Sequence, residues 1–226
     1  MPIRQEGTQV TVNAELISAL SLSLSSARLH LYREKSSFDD AKALALYLWN
    51  VKIGQAFHFP VQSAEITVRN SISRVLVTLY GVEWWTVAKF ENALDEEAKA
   101  ELRTAEQRIK KKGLPYTSDQ MVAALSFGFW GHVLGQRHYP LIWSKYLKAA
   151  FPKCPPINFH LPKIRDRLFD VLSLRNKIFH HEPLINLDLT KEFSEILELI
   201  NWICPVTSEW VRKSSCVPLI IRERPR

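Results

Sequence analysis

At 226 residues and 46% hydrophobic, the chain holds enough apolar material for one large domain or two small ones, and a charged fraction of 23% excludes a disordered tail or a fibre. Only 7 glycines argue against a loop-rich or sandwich architecture and favour long helices. The formal charge of +7, with a pI near 9.4, points to an anionic partner, nucleic acid ahead of a membrane surface.

The elements follow in chain order. Residues 1 to about 13 read as a polar, extended lead-in. SSARLHLYRE, from Ser25, predicts a short helix with serine as N-cap. Asp39 or Asp40 opens a long apolar helix, expected to kink or restart at Pro60 and to stop at Gly81. The segment 94–112 places acids first and lysines last, matching the helix dipole, and Gly113 and Pro115 end it. SDQMVAALSFGFWGHVLG reads as one capped aromatic helix, and a shorter one follows near 139–150. After a proline-punctuated loop, helix 163–181 leads into RNKIFHHEP, and a last helix runs from about Asp188 to Val211. No segment alternates convincingly enough for a sheet, so the expectation is an all-α single domain. Its boundaries are expected at 25–212, between an N-terminal extension, 1–24, and a basic tail, 213–226.

Three scattered cysteines, Cys154, Cys204 and Cys216, suit neither a disulfide framework nor a CxxC metal site. They fit a reduced compartment, with at least one in the core. No apolar run approaches the roughly 18–20 residues of a membrane span. The opening MPIRQEGTQVTVNAE lacks the apolar stretch of a signal peptide. A cytoplasmic location without membrane association is therefore expected.

Two apolar helix faces carry polar interruptions. Ile164, Leu168, Val171, Leu172, Ile178 and Phe179 share a face, and Arg175 falls in the middle of it. A desolvated guanidinium needs an acid, a partner chain or an anionic ligand. In the same way Glu65 sits inside the face formed by Val61, Val68, Ile72, Val75, Leu76 and Leu79, with Arg69 one turn on. Two readings stay open: a structural Glu65–Arg69 ion pair, or a glutamate that orients Arg69 or Arg175 near a site.

Arg175 and His180 form an R-x4-H spacing, and no other arginine has a histidine five to seven positions later. Histidine moves protons near neutral pH, and arginine's fork matches phosphate oxygens. Together they suit metal-independent RNA cleavage, in which the ribose 2′-OH attacks its neighbouring phosphate. Asn176 would orient a histidine or the phosphate, and Lys177 would contact the backbone phosphates. His180, His181 and Glu182 lack the HExxH spacing of a zinc helix, so neither a metal nor another cofactor is expected. On a regular helix Arg175 and His180 lie about 140° apart. The helix must therefore distort or end there, or two chains must contribute; Pro183 favours an end.

LRNKIFHHEP resembles the signature of the Abi-like proteins, a branch of the HEPN superfamily linked to abortive phage infection. SSARLHLY, ALALYLWN, SAEITVRNSI, LYGVEWW and ALSFGFW agree in the same order, spanning roughly Ser25 to Val211. The resemblance implies a HEPN-like helical bundle with additional helices and, for many relatives, endoribonuclease activity of a toxin or antiviral defence kind. The family's R-x4-6-H motif maps onto Arg175 and His180, with Asn176 as the polar neighbour and His181 as an alternative histidine. Glu65, Arg69 and Asn70 match an ExxxRN segment of Abi-like relatives and would bind RNA or support the site. With one motif per chain, a composite site implies a homodimer. RNA is the expected partner, with an antitoxin or a small structured RNA as a further one. The alternative is a non-catalytic RNA-binding module of the same fold; a third reading is a domain whose motif only stabilises a dimer.

Overall fold

The computed structural model describes residues 12–225. The chain is all-α: twelve α-helices and no strand occur among the described residues. They are α1 (Ala14–Ser23), α2 (Ser26–Lys35), α3 (Asp40–Tyr80), α4 (Ala88–Glu91), α5 (Glu96–Lys111) and α6 (Ser118–Ala124). The second half adds α7 (Phe127–Val133), α8 (Ser144–Ala150), α9 (Leu161–Phe179), α10 (Leu189–Asn201), α11 (Pro205–Ser214) and α12 (Val217–Arg222). The expected lead-in lies almost wholly outside the described residues.

Helix α3 is the axis of the fold. Its 41 residues extend about 60 Å at 1.5 Å per residue, and α2 and α6 to α12 pack along it. The Asp39 carboxylate accepts the Lys42 N–H to open the helix, and Gly81, at φ 87°, closes it in a conformation that favours glycine. The helix does not restart at Pro60. Proline removes the donor to the Ala56 carbonyl, a local cost of about 3 kcal/mol. Burial of Phe57, Pro60, Val61 and Ala64 on the same stretch offsets it.

Other boundaries also differ from the expectation, each for a local reason. The segment 118–133 is two helices because Ser126 caps a new start, its hydroxyl accepting the Phe129 N–H at 3.3 Å. The expected last helix breaks before Pro205, which lacks the N–H needed to continue a helix and suits the first position of α11 instead. The Ser208 hydroxyl then donates to the Leu197 carbonyl at 2.9 Å, tying α11 back onto α10. The basic tail expected at 213–226 is ordered among its described residues. It forms α12, buries Val217, and presents the Ile220 carbonyl to the Trp49 indole N–H at 2.7 Å.

A single core runs between α3 and its neighbours. Cys154 belongs to it, and Trp84 and Trp85 are both buried where the chain turns after Gly81. Arg167 on α9 ion-pairs with Asp170, with Glu195 and, at 2.8 Å, with Glu198, which joins α9 to α10. No helix of the described residues is long and apolar enough to cross a membrane.

His138 is buried against the Phe90 ring, 5.5 Å between centroids, with its Nδ1 unpartnered. Burial pushes its pKa from near 6.5 down to about 4; Asp95 opposes this and Arg137 reinforces it. The unfolded chain therefore binds the proton more readily, so stability is complete above pH 6.5 and falls as pH drops toward 4. Denaturant melts across that window are expected to show a loss on the order of 3 kcal/mol, absent in His138→Phe.

Candidate functional site

The site forms where α9 ends against the middle of α3. His160 opens α9, its Nδ1 accepting the Lys163 N–H, and Leu161, Ile164, Leu168, Val171 and Leu174 are its buried face. The expected stripe was rotated slightly: Leu174 is buried, whereas Phe179 is 46% exposed. Arg175 thus stands at the edge of the buried face, half-buried, rather than at its centre.

The doubled histidine is the helix terminus. The Glu182 N–H donates to the Lys177 carbonyl at 2.8 Å and the His181 N–H to the Ile178 carbonyl at 3.1 Å, the paired bonds of a Schellman end. His180 is the C-cap and His181 takes the left-handed position at φ 57°, where glycine is usual. Lys177 pairs with Glu182 at 3.2 Å across this end, and the Arg28 guanidinium donates to the His181 carbonyl at 2.8 Å. The helix therefore ends at the motif, as Pro183 leads one to expect.

Arg175 is held without being neutralised. Its guanidinium lies 4.2 Å from the centre of the Phe179 ring, and its Nη1 donates to Asn176 Oδ1 at 3.3 Å. Its Nε is buried and has no acceptor. Arg167, two turns earlier on the same helix, also has a buried Nε without an acceptor, but its guanidinium is met by three acids, whereas Arg175 pairs with none. Asn176 thus bonds to the arginine side chain.

Opposite stands a polar stripe on α3. Arg175 and Phe179 share a cavity of about 220 Å³ with His58, Gln62, Glu65 and Arg69. The Arg69 Nε is also buried without an acceptor. The expected Glu65–Arg69 ion pair does not form, and Glu65 makes none with Arg175 among the described residues. The two guanidiniums and one carboxylate make the cleft net positive, with two N–H groups left to an incoming acceptor.

The remaining expected residues fall elsewhere. Asn70, about 100° round α3 from Arg69, lines a different cavity with Arg74, Trp85 and Tyr116. His180 is exposed and lines neither this cleft nor the cavity beside it. The histidine that does line the cleft is His58, its ring 5.5 Å from that of Phe179. Sequence reasoning missed it, although His58, Gln62, Glu65 and Arg69 repeat at spacings of four, three and four, which puts them on one stripe of the helix.

Neither a scan of protein-family models nor searches of curated proteins and of solved structures found a match to this chain.

The left-handed His181 supplies a test of the helix end. His181→Gly is expected to raise the unfolding free energy by about 1 kcal/mol by relieving backbone strain. His180→Gly, at φ −89°, brings no such gain. Urea unfolding midpoints distinguish the two; a loss of stability in His181→Gly contradicts the assignment.

Proposed function

We propose that this chain is a metal-independent endoribonuclease of the HEPN type, acting in abortive infection or as a toxin. The observation that carries the reading is the cleft in which Arg69 and Arg175 each keep a buried Nε–H without a protein acceptor. A phosphodiester supplies the acceptor oxygens and the negative charge that both groups lack. The resemblance of LRNKIFHHEP to the Abi-like signature supplies the reaction.

In this reading Arg175, steadied by Asn176 and by the Phe179 ring, binds the scissile phosphate and stabilises the charge that gathers on it. Arg69 shares that charge, and Glu65 accepts a hydrogen bond from the ribose or from water. His180 moves the proton of the 2′-OH or of the leaving oxygen. Because His180 of the same chain lies outside the cleft, the site is completed by a second copy in a homodimer. The cytoplasm, where RNA is abundant, is the expected place of action. An antitoxin or a small structured RNA would restrain the cleft until triggered.

A second reading, an RNA-binding module that does not cut, is favoured by that same separation of His180 from Arg175. One experiment decides between them. RNA incubated with the chain in excess EDTA is expected to be cleaved. Arg175→Ala is expected to slow cleavage about 10²–10³-fold and His180→Ala about 10²–10⁴-fold. Loss of activity in EDTA, or full activity in both variants, contradicts the ribonuclease. Salt-sensitive binding of RNA that stays intact supports the module.

A further inference from the structure

The arginine cleft has a neighbour. His58 and Phe179, which line it, also line a second cavity of about 660 Å³ between α2, α3 and the end of α9. The size lies in the range of small-ligand sites. The two spaces therefore meet at one pair of rings: two arginines and a carboxylate lie on one side, and on the other an aromatic and amide surface, with Arg28 and Glu182 also in its lining.

Three features of the larger cavity match a nucleobase. Tyr47 adds an aromatic wall and is itself held by the edge of Tyr32, 5.3 Å between ring centres. Flat rings of this kind stack on unpaired bases whatever their identity. Asn50 accepts the Leu184 N–H at 2.7 Å through its Oδ1, which fixes the amide and leaves its NH₂ to donate. Gln55, exposed on the same wall, has both halves of its amide free of protein partners among the described residues. Amides in this position read the donor and acceptor edges of bases.

Gly54 is the third feature. A Cβ there would meet only Leu184 Cδ1, at 3.9 Å, an ordinary contact. Packing thus does not require glycine, and a glycine inside a helix is unfavourable relative to alanine. What its missing side chain does is keep the wall of the cavity open.

We propose that the two cavities form one nucleotide subsite, with an unpaired base of single-stranded RNA in the larger cavity and its phosphate between Arg69 and Arg175. This rests on the reading of the cleft as a phosphate site. It adds a substrate class: a base stacked inside a duplex cannot enter a cavity walled by three elements, so single strands, loops and bulges are taken and regular helices are refused.

The test is titration of the full chain with the four nucleoside 3′-monophosphates, the matching nucleosides and inorganic phosphate. At least one nucleotide is expected to bind about tenfold tighter than inorganic phosphate, a gain typical of one stacked base. Gly54→Leu, filling the cavity, is expected to abolish that gain while leaving inorganic phosphate binding unchanged. Gln55→Ala, at an exposed position, is expected to alter the ranking of the four bases and keeps the test open if Gly54→Leu fails to fold. Nucleotides that bind no better than inorganic phosphate overturn the proposal, as does a folded Gly54→Leu that binds them like the parent, or an unchanged ranking in Gln55→Ala. A single-stranded oligoribonucleotide is expected to displace the bound nucleotide; failure to do so assigns the cavity to a free nucleotide and overturns the RNA assignment. Cleavage measured in parallel separates the two ideas. Nucleotide binding with uncleaved RNA overturns the ribonuclease alone, and cleavage without base-dependent binding overturns the subsite alone.

Discussion

A guanidinium anchored on an aromatic ring, with a buried N–H and no acid to meet it, sets the terms for the rest of this molecule. Arg175 lies on Phe179 and is steadied by Asn176, yet its Nε finds no acceptor, and Arg69 across the cleft repeats the omission. Each unsatisfied buried donor costs about 1–3 kcal/mol. Two like charges in one cavity add to that cost, and Glu65 does not pair with either of them. The arrangement is stable because the surrounding helices are fixed by burial elsewhere, and the proposed phosphodiester would supply the acceptors that both groups lack.

Those surroundings are two rigid helices rather than loops. Continuity of α3 through Pro60 keeps His58 and Arg69 on one stripe, eleven residues apart, whereas a restart would rotate them out of register. The Schellman end of α9 stops the helix directly after Phe179, so that its ring can serve both cavities. Arg28, donating to the His181 carbonyl, binds α2 to the same terminus and lines the larger cavity. Helix α12, docked by Trp49, covers α3 ahead of the site. Two of these contacts, Arg28 to His181 and Trp49 to Ile220, join segments distant in sequence.

Local chemistry was legible in the sequence; balance between distant parts was not. The caps at Ser25 and Asp39, the stop at Gly81 and the misplaced polarity of Glu65 and Arg175 are all read from neighbours a turn away. Pro60 misleads as to a restart, because its penalty is local while the burial that offsets it comes from other helices. The break before Pro205 carried its own signal, yet the apolar pattern runs across it and concealed it. Asn70 follows Arg69 in sequence but faces another cavity, since adjacent helical residues diverge by about 100°. His58 was missed for the opposite reason: its partner Phe179 is on another helix, and only its spacing from Gln62, Glu65 and Arg69 marked it in the sequence.

The most direct measurement of the central claim is the arginine Nε–H signal of Arg69 and Arg175 in NMR spectra of ¹⁵N-labelled protein, with assignment by substitution. Addition of a non-cleavable single-stranded RNA dinucleotide is expected to shift both signals and slow their exchange with water, leaving Arg167, which lies outside the cleft among its acids, unchanged. Signals of Arg69 and Arg175 that do not move while the dinucleotide binds would place the ligand elsewhere and contradict the account.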